Sequence, residues 1–184
     1  MRKVIAFLAM SLDGYIADAD NHIDWLTTFP TPAGEDFGYA KLLEEVDTLV
    51  MGRKTYDYIV QQGEPWPYFG KKTWVISRKT EFTIHTPDTV RGDFTNAMFL
   101  DDIQRPQSGA IWLVGGGEVI KYFIEQQWIT EWRLVILPLT LGKGIPLFLP
   151  TEQSASWTLE KVRPFENGMV LLHYIKASSS YLLK

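Results

Sequence analysis

Three consecutive glycines, Gly115, Gly116 and Gly117, separate an apolar run from an amphipathic stretch and are the strongest chemical signal in the sequence. Glycine lets the backbone approach a ligand closely, and the first amides of a following helix present positive dipole to an anion. A second turn, Met-Gly-Arg-Lys-Thr at residues 51–55, also follows an apolar run and adds two cations and a hydroxyl. Together the two turns predict a site for a phosphorylated dinucleotide.

Neither turn fits the two best-known glycine motifs. The Rossmann fingerprint requires a further glycine where this chain has Ile120. The Walker pattern requires a glycine five residues before Gly52, where this chain has Asp47. The alternative is that the three glycines form a tight turn that only packs a helix against a sheet. Their pairing with the second turn favours the nucleotide.

Three cations stand where predicted strands end: Arg53, Arg78 and Lys79. Arginine can bind an oxyanion through two parallel hydrogen bonds, and lysine adds a mobile point charge. Ser77 supplies a hydroxyl beside Arg78. Such a cluster favours NADP over NAD, although cations at strand ends are also common where they serve only solvation.

Asp36 is the carboxylate that we select as the candidate acid. In a helix from about Asp36 to Val46, it lies one turn from Ala40 and two from Leu43, so it would head the core-facing stripe. In a pocket it could hold and donate a proton near neutral pH, because burial raises a carboxyl pKa while a helix N-terminus favours the anion. The alternative is a helix-start residue chosen for the dipole, and Glu35 is a less well-directed rival.

The composition is that of one ordinary globular domain, with 184 residues of which 46% are hydrophobic and 22% charged. The net charge of −4 and the dispersed Lys and Arg argue against a nucleic-acid partner. The chain has no cysteine and only three scattered histidines, so we expect no metal site. Its apolar runs are too short to span a bilayer. We therefore expect a cytoplasmic protein without a membrane partner.

The elements that must position these residues alternate along the first two thirds of the chain. Short apolar runs predict strands covered on both faces, at residues 4–9, 48–51, 73–77 and 111–114. Helical periodicity falls between and after them, at residues 37–46, 56–60, 96–103 and 118–128. Beyond Trp128 only strands follow, at residues 131–138, 145–149, 156–162 and 169–176.

This order predicts an α/β fold with a mainly parallel sheet, helices on its faces and antiparallel C-terminal strands at one edge. We expect a single domain over residues 1–177 and a frayed tail over residues 178–184. An exposed strand edge and the many aromatic residues permit a homodimer.

The motifs, in this order, resemble the dihydrofolate-reductase superfamily. They most resemble the reductase domain of the bifunctional riboflavin-biosynthesis deaminase-reductase, here as a stand-alone protein. The matching segments are residues 11–17, 51–55, 75–78, 114–117 and 139–148. The resemblance implies a three-layer dihydrofolate-reductase-like fold, NADPH as cofactor and a small heterocyclic substrate.

The resemblance also implies roles for individual residues. Dihydrofolate reductases carry an acidic residue fifteen positions before the Met of their Met-Gly-Arg segment, and that count from Met51 ends at Asp36. A cis peptide is implied between Gly115 and Gly116. The predicted substrate pocket contains Tyr15, Trp25 and Ala40. The cofactor-binding residues would be Ile16, Gly52, Arg53, Lys54, Thr55, Ser77, Arg78, Lys79, Gly115, Gly116, Gly117 and Glu118.

The reaction implied is hydride transfer from NADPH to a heterocyclic C=N bond or a carbonyl, as in 5-amino-6-(5-phosphoribosylamino)uracil reductase. The chain departs from the riboflavin enzymes at Tyr15, where they usually have lysine. Two alternatives stay open, a dihydrofolate reductase proper and a non-catalytic nucleotide-binding dimer.

Overall fold

A computed structural model describes residues 2–79, 81–106 and 109–177, so the expected frayed tail lies outside the described residues. The strands are β1 (Val4–Ser11), β2 (Tyr15–Ala17), β3 (Val46–Gly52), β4 (Lys72–Ile76), β5 (Thr89–Gly92), β6 (Ala110–Gly115), β7 (Glu131–Leu137), β8 (Ile145–Pro146), β9 (Trp157–Pro164) and β10 (Val170–Lys176). The helices are α1 (Asp24–Thr27), α2 (Tyr39–Glu45), α3 (Arg53–Gln61), α4 (Ala97–Gln104) and α5 (Gly117–Glu125).

Eight of these strands form one sheet in the order β5-β4-β3-β6-β1-β7-β10-β9. Neighbours from β5 to β7 run parallel, whereas β10 runs antiparallel to both β7 and β9. Strands β2 and β8 form a separate antiparallel ribbon. The predicted fold class, a mainly parallel sheet with antiparallel C-terminal strands at one edge, is confirmed.

The sheet is the middle of three layers because alternate side chains of its central strands enter two different cores. Val4 and Ala6 of β1 join a cluster with Phe123 of α5, while Ile5 joins one with Tyr56 of α3. Helices α4 and α5 therefore cover one face, and α2 and α3 cover the other. Both faces of the central strands are buried, as their continuous apolar runs predict.

The register of the parallel strands decides which loops meet. In the β3–β4 pair Gly52 lies opposite Ile76, and in the β3–β6 pair Met51 lies opposite Gly115. The turns that leave β3, β4 and β6 therefore begin side by side at the carboxyl edge of the sheet. Ligands of open α/β sheets bind at this edge.

Some elements differ from the sequence prediction. Helix α2 begins at Tyr39 and not near Asp36, since Phe37 and Gly38 both adopt left-handed backbone with φ of 56° and 91°. Strands β2 and β5 are short additions that no apolar run announces. The turn at Asn167-Gly168 joins β9 to β10, with Gly168 at φ 85°. Within the described ranges, no helix has the length and apolar character needed to cross a membrane.

Candidate functional site

The two glycine turns contact each other. Helix α3 starts directly after β3, and α5 starts one residue after β6. A Cβ atom placed on Gly116 would lie 3.8 Å from Oγ1 of Thr55, and one placed on Gly52 would lie 3.9 Å from the carbonyl oxygen of Gly115. The structure thus brings together the turns that the sequence singles out.

Both helices open without a capping side chain. Their N-cap residues are Gly52 and Gly116, and neither helix has a side-chain cap hydrogen bond. Helix α4 contrasts with them, because the side chain of its N-cap Asn96 accepts a hydrogen bond of 3.0 Å from the Phe99 amide. The first amides of a helix have no acceptor within the helix. Two adjacent uncapped N-termini therefore form a suitable binding site for an anion.

The first turn of α3 carries cations where the helix dipole disfavours them. It holds Arg53 and Lys54 and no acidic residue. Arg53 Nη1 lies 2.7 Å from Oδ2 of Asp57 one turn later, and Lys54 Nζ donates a 3.2 Å hydrogen bond to Asn21 Oδ1. A negatively charged ligand at this helix end would offset the unfavourable placement of both charges.

Ser77, Arg78 and Lys79 extend the same edge by one strand, since they follow β4. The Ser77 amide donates to the carbonyl of Gly92 at 3.0 Å, and the Ser77 hydroxyl oxygen accepts from the Lys79 amide at 3.0 Å. These bonds shape the turn and leave the Ser77 O–H able to donate. Arg78 and Lys79 are exposed to solvent.

Gly115 and Gly117 are constrained by different neighbours. Gly115 has a φ of 137°, which side-chain-bearing residues rarely adopt. The described residues contain no cis peptide bond, so the cis bond implied between Gly115 and Gly116 is not found. The chain turns instead through the positive φ of Gly115. A Cβ on Gly117 would lie 3.4 Å from the carbonyl oxygen of Pro146. Glu118, next along α5, is exposed.

The β2–β8 ribbon lies against the start of α5. Tyr15 pairs with Pro146, and Ala17 pairs with Ile145. Ile145 Cγ2 would be 3.7 Å from a Cβ on Gly117, which places the ribbon at the glycine turn. Ile16 is partly buried against the same core as α5, and Tyr15 is half-buried.

Asp36 does not occupy the position expected from the helix pattern. It is exposed, and its carboxylate accepts hydrogen bonds of 2.8 Å from the amides of Gly38 and Ala40. These bonds hold the pKa of Asp36 below the ordinary value of 3.8. The expectation of a core-facing stripe is wrong, because the helix starts only at Tyr39 and Ala40 is exposed as well. The role of Asp36 as substrate acid stays a prediction.

Trp25 lies in the segment between β2 and α2, which also contains Asp36. It belongs to α1 and packs with Leu139 and Phe37 on a small apolar cluster centred on Leu137. Its indole Nε1 is buried and has no hydrogen-bond partner within the described residues. A buried N–H of this kind normally has an acceptor. The rival acid Glu35 is already paired, 2.5 Å from the guanidinium of Arg163.

Comparison with known proteins agrees with this geometry. The family model named RibD C-terminal domain matches residues 2–66 and 70–171. The chain belongs to the RibD C-terminal domain family. The uncharacterized protein YwjB of Bacillus subtilis is 32% identical to this chain over 177 residues, which are 96% of this chain and 99% of YwjB.

Solved structures share the architecture of this chain. A Shewanella sp. PV-4 protein, provisionally named for riboflavin biosynthesis, superposes with a TM-score of 0.84 at 31% identity, covering 96% of this chain and 99% of that one. The dihydrofolate reductase of Enterococcus faecalis, solved with NADP(H), gives a TM-score of 0.65 at 17% identity, with 95% and 96% covered. The second likeness shows the dihydrofolate-reductase-like fold, and the family match confirms the resemblance to the riboflavin-biosynthesis reductase domain.

Proposed function

We propose that this protein is an NADPH-dependent reductase of the riboflavin-biosynthesis type. One observation carries the proposal, the contact between the turn at residues 52–55 and the turn at residues 115–117. It presents two uncapped helix N-termini and the cations of α3 to one place. A dinucleotide carries phosphate charge in the pattern that this edge would neutralise.

The residues present fit NADPH. The amides of Gly116 and Gly117 and the first amides of α3 would donate to the diphosphate, where the absence of side chains on Gly52 and Gly116 leaves room for it. Arg78 and Lys79, one strand further along the edge, would bind the 2′-phosphate. NADPH supplies the hydride when it is bound, and the protein has to hold the substrate beside it.

The substrate that we propose is a flat heterocycle with a C=N bond or a carbonyl, as in 5-amino-6-(5-phosphoribosylamino)uracil. The apolar cluster around Trp25 and Phe37 offers a wall for such a ring. Tyr15 and Ala40 would flank the same region. Asp36 is ionised at neutral pH, so we propose that it orients a water that delivers the proton.

The experiment is a pair of titrations and a pair of turnover assays. We expect NADPH to bind more tightly than NADH, and we expect NADPH absorbance to fall with a pyrimidine ribosylamine but not with dihydrofolate. Turnover of dihydrofolate alone would favour a folate reductase, and binding without turnover would favour the non-catalytic nucleotide-binding module. Failure to bind either nucleotide would exclude all three.

The role of Asp36 has its own variant. Asp36→Asn should lower turnover on the order of a hundredfold, at the lower end of what acid–base groups contribute, with NADPH affinity little changed. Asp24→Asn, at another exposed carboxylate of the same loop region, is the control and should leave turnover unchanged. A loss of NADPH affinity in Asp36→Asn would remove Asp36 from this role.

We also propose a homodimer, formed along β9. This strand is the last of the sheet, and its Leu159 and Val162 are 48% and 49% exposed. They pair with Tyr174 and Leu172 of β10, which places them on one face. Phe148, 54% exposed, lies beside a cavity of about 280 Å³ that Trp132 and Trp157 line.

A long edge strand with an apolar face is suited to pairing with a second copy. Light scattering after size exclusion should give a dimer for the natural chain and a monomer for the double variant Leu159→Lys with Val162→Lys. Thr158→Lys, which changes an exposed neighbour on the same strand, should remain dimeric. A monomeric natural chain would exclude this interface.

A further inference from the structure

Asp13 joins two loops that lie far apart in the sequence. It follows β1, and its carboxylate accepts a 2.7 Å hydrogen bond from the Gly142 amide and 3.1 Å contacts from the Leu141 amide. The Ser11 hydroxyl donates a further bond of 2.6 Å to it. These hydrogen bonds, the one from Ser11 foremost, lower the pKa of Asp13. The carboxylate is therefore a charged clamp at neutral pH.

Backbone bonds extend the connection on both sides of the clamp. The Leu12 amide donates to the carbonyl of Leu139 at 2.8 Å, and the Leu147 amide donates to the carbonyl of Gly14 at 2.9 Å. The loop at residues 138–149 is thus tied to the turn after β1 at several points. Asp13 supplies the side-chain bonds among them.

The far side of this loop reaches the glycine turn. Gly144 lies so close to β2 that a Cβ placed on it would be 2.3 Å from the carbonyl oxygen of Ala17. Pro146 and Leu149 pack against the first turn of α5. The Pro146 carbonyl oxygen and Leu149 Cδ1 would each lie 3.4 Å from a Cβ placed on Gly117. A displacement of the loop would consequently displace the first turn of α5.

We propose that Asp13 is a positioning residue for the cofactor, because it holds the loop at residues 138–149 against the start of α5 and so fixes the amides of Gly116 and Gly117. The inference rests on the proposed NADPH binding. It assigns Asp13 no contact with the cofactor itself.

The principal variant is Asp13→Asn. It keeps the size of the side chain but places an amide N–H group where one carboxylate oxygen now accepts from Leu141 and Gly142. We expect the Kd for NADPH to rise about tenfold, as for the loss of a charge-assisted hydrogen bond, and kcat at saturating NADPH to stay within about twofold. Asp20→Asn makes the same charge change at an exposed residue in the loop after β2 and should alter neither.

A second variant guards against misfolding. Ser11→Ala removes the hydroxyl that bonds Asp13 but leaves the two loop amides in place, so we expect a smaller rise in Kd in the same direction. Hydrogen exchange supplies a readout that does not depend on nucleotide. In Asp13→Asn the amides of Leu141, Gly142 and Val119, the last of which donates to the Gly116 carbonyl at 3.0 Å, should all exchange faster, while the amide of Ile5 in β1 should not.

The outcomes separate this inference from the proposed function. If the natural chain binds no NADPH, both fail together. If the natural chain binds NADPH and Asp13→Asn binds it equally well, the inference about Asp13 fails and the reductase proposal stands. Faster exchange at Leu141 and Gly142 with no change at Val119 would also overturn it, since the clamp would then be purely local. A lower thermal midpoint with unchanged Kd would show a merely structural role.

Discussion

Charged groups are arranged differently at the two edges of the sheet where the parallel strands end and begin, the carboxyl edge and the amino edge. At the carboxyl edge, helix N-termini are uncapped and Arg78 and Lys79 extend into solvent. At the amino edge, Glu131 is buried between Lys3, at 2.6 Å, and Arg133, at 2.6 Å. Charges that are satisfied within the chain serve the fold, whereas charges and amides that the chain leaves open are available to a ligand.

The amino edge shows how complete internal pairing is. Arg133 also binds Glu45 at 2.7 Å, so two cations and two carboxylates alternate. Burial alone would raise the pKa of Glu131, yet the hydrogen bond from Lys3 and the charge of Arg133 hold it below the ordinary value of 4.5. Arg2, fully buried, donates to the Thr48 hydroxyl and to Asp47. These charges are paired with one another within the described residues.

The largest expected effect breaks the amino edge. Glu131→Gln leaves Arg133 and Lys3 without their buried anion, and we expect the free energy of unfolding to fall by about 3 kcal/mol. NADPH affinity should not change. Urea denaturation measures the first and nucleotide titration the second. Glu125→Gln, which breaks only an exposed pair with Lys121 at 3.7 Å, is the control and should cost under about 0.5 kcal/mol.

The next effect tests the carboxyl edge. Arg78→Ala should weaken NADPH binding roughly thirtyfold and NADH binding little, because only NADPH carries the 2′-phosphate. The free energy of unfolding should stay within about 0.5 kcal/mol. Lys161→Ala, at an exposed cation of β9, should change neither affinity. Equal losses for the two nucleotides would mean that Arg78 binds some other part of the cofactor.

A smaller effect, at Gly116, separates the affinity for the nucleotide from the stability of the fold. Gly116 has ordinary backbone with φ −51°, and its added Cβ would make a normal 3.8 Å contact. Gly116→Ala should therefore leave stability within about 1 kcal/mol and still weaken NADPH binding several-fold, roughly 1 kcal/mol, because the methyl occupies the turn that faces the anion. Gly63→Ala, at a left-handed glycine beyond α3, should show the reverse, a loss of stability with unchanged affinity.

The smallest expected effect is the pH dependence of the stability that Glu131 contributes. The folded pKa of Glu131 is lowered, so its contribution is present above the unfolded value of 4.5 and is lost as pH falls through the folded pKa. The stability gap between the natural chain and Glu131→Gln should thus shrink as pH falls below about 4.5. Parallel urea curves across that range test this, and a gap that widens with acid would contradict it.

Local signals predicted the parallel half of the fold and the turns that leave it. The run at residues 111–114 followed by three glycines specifies a strand, a turn and a helix from neighbouring residues alone. The two turns of the candidate site could be paired in advance because parallel strands end at one edge. Strand β5 could not, since its four residues, Thr-Val-Arg-Gly, have no period that distinguishes them from a loop.

The surroundings of Asp36 and the hydrogen-bond partners of Asp13 could not be predicted from the sequence. The start of α2 is moved by Phe37, a non-glycine residue at φ 56°, and no residue type announces such a conformation. The sequence around Asp13 predicts only a turn, because its partners Leu141 and Gly142 are distant in the chain. The alternating charges of Glu45, Glu131 and Arg133 are hidden for the same reason. Pairs of this kind become visible only once the sheet order is known.

The placement of the two uncapped helices has one more consequence. Helix α3 packs on one face of the sheet and α5 on the other, although they begin at adjacent strands. A molecule held by both N-termini straddles the plane of the sheet and links the outer layers across it. A ligand that binds only the folded chain would therefore stabilise both layers at once and raise the midpoint of unfolding.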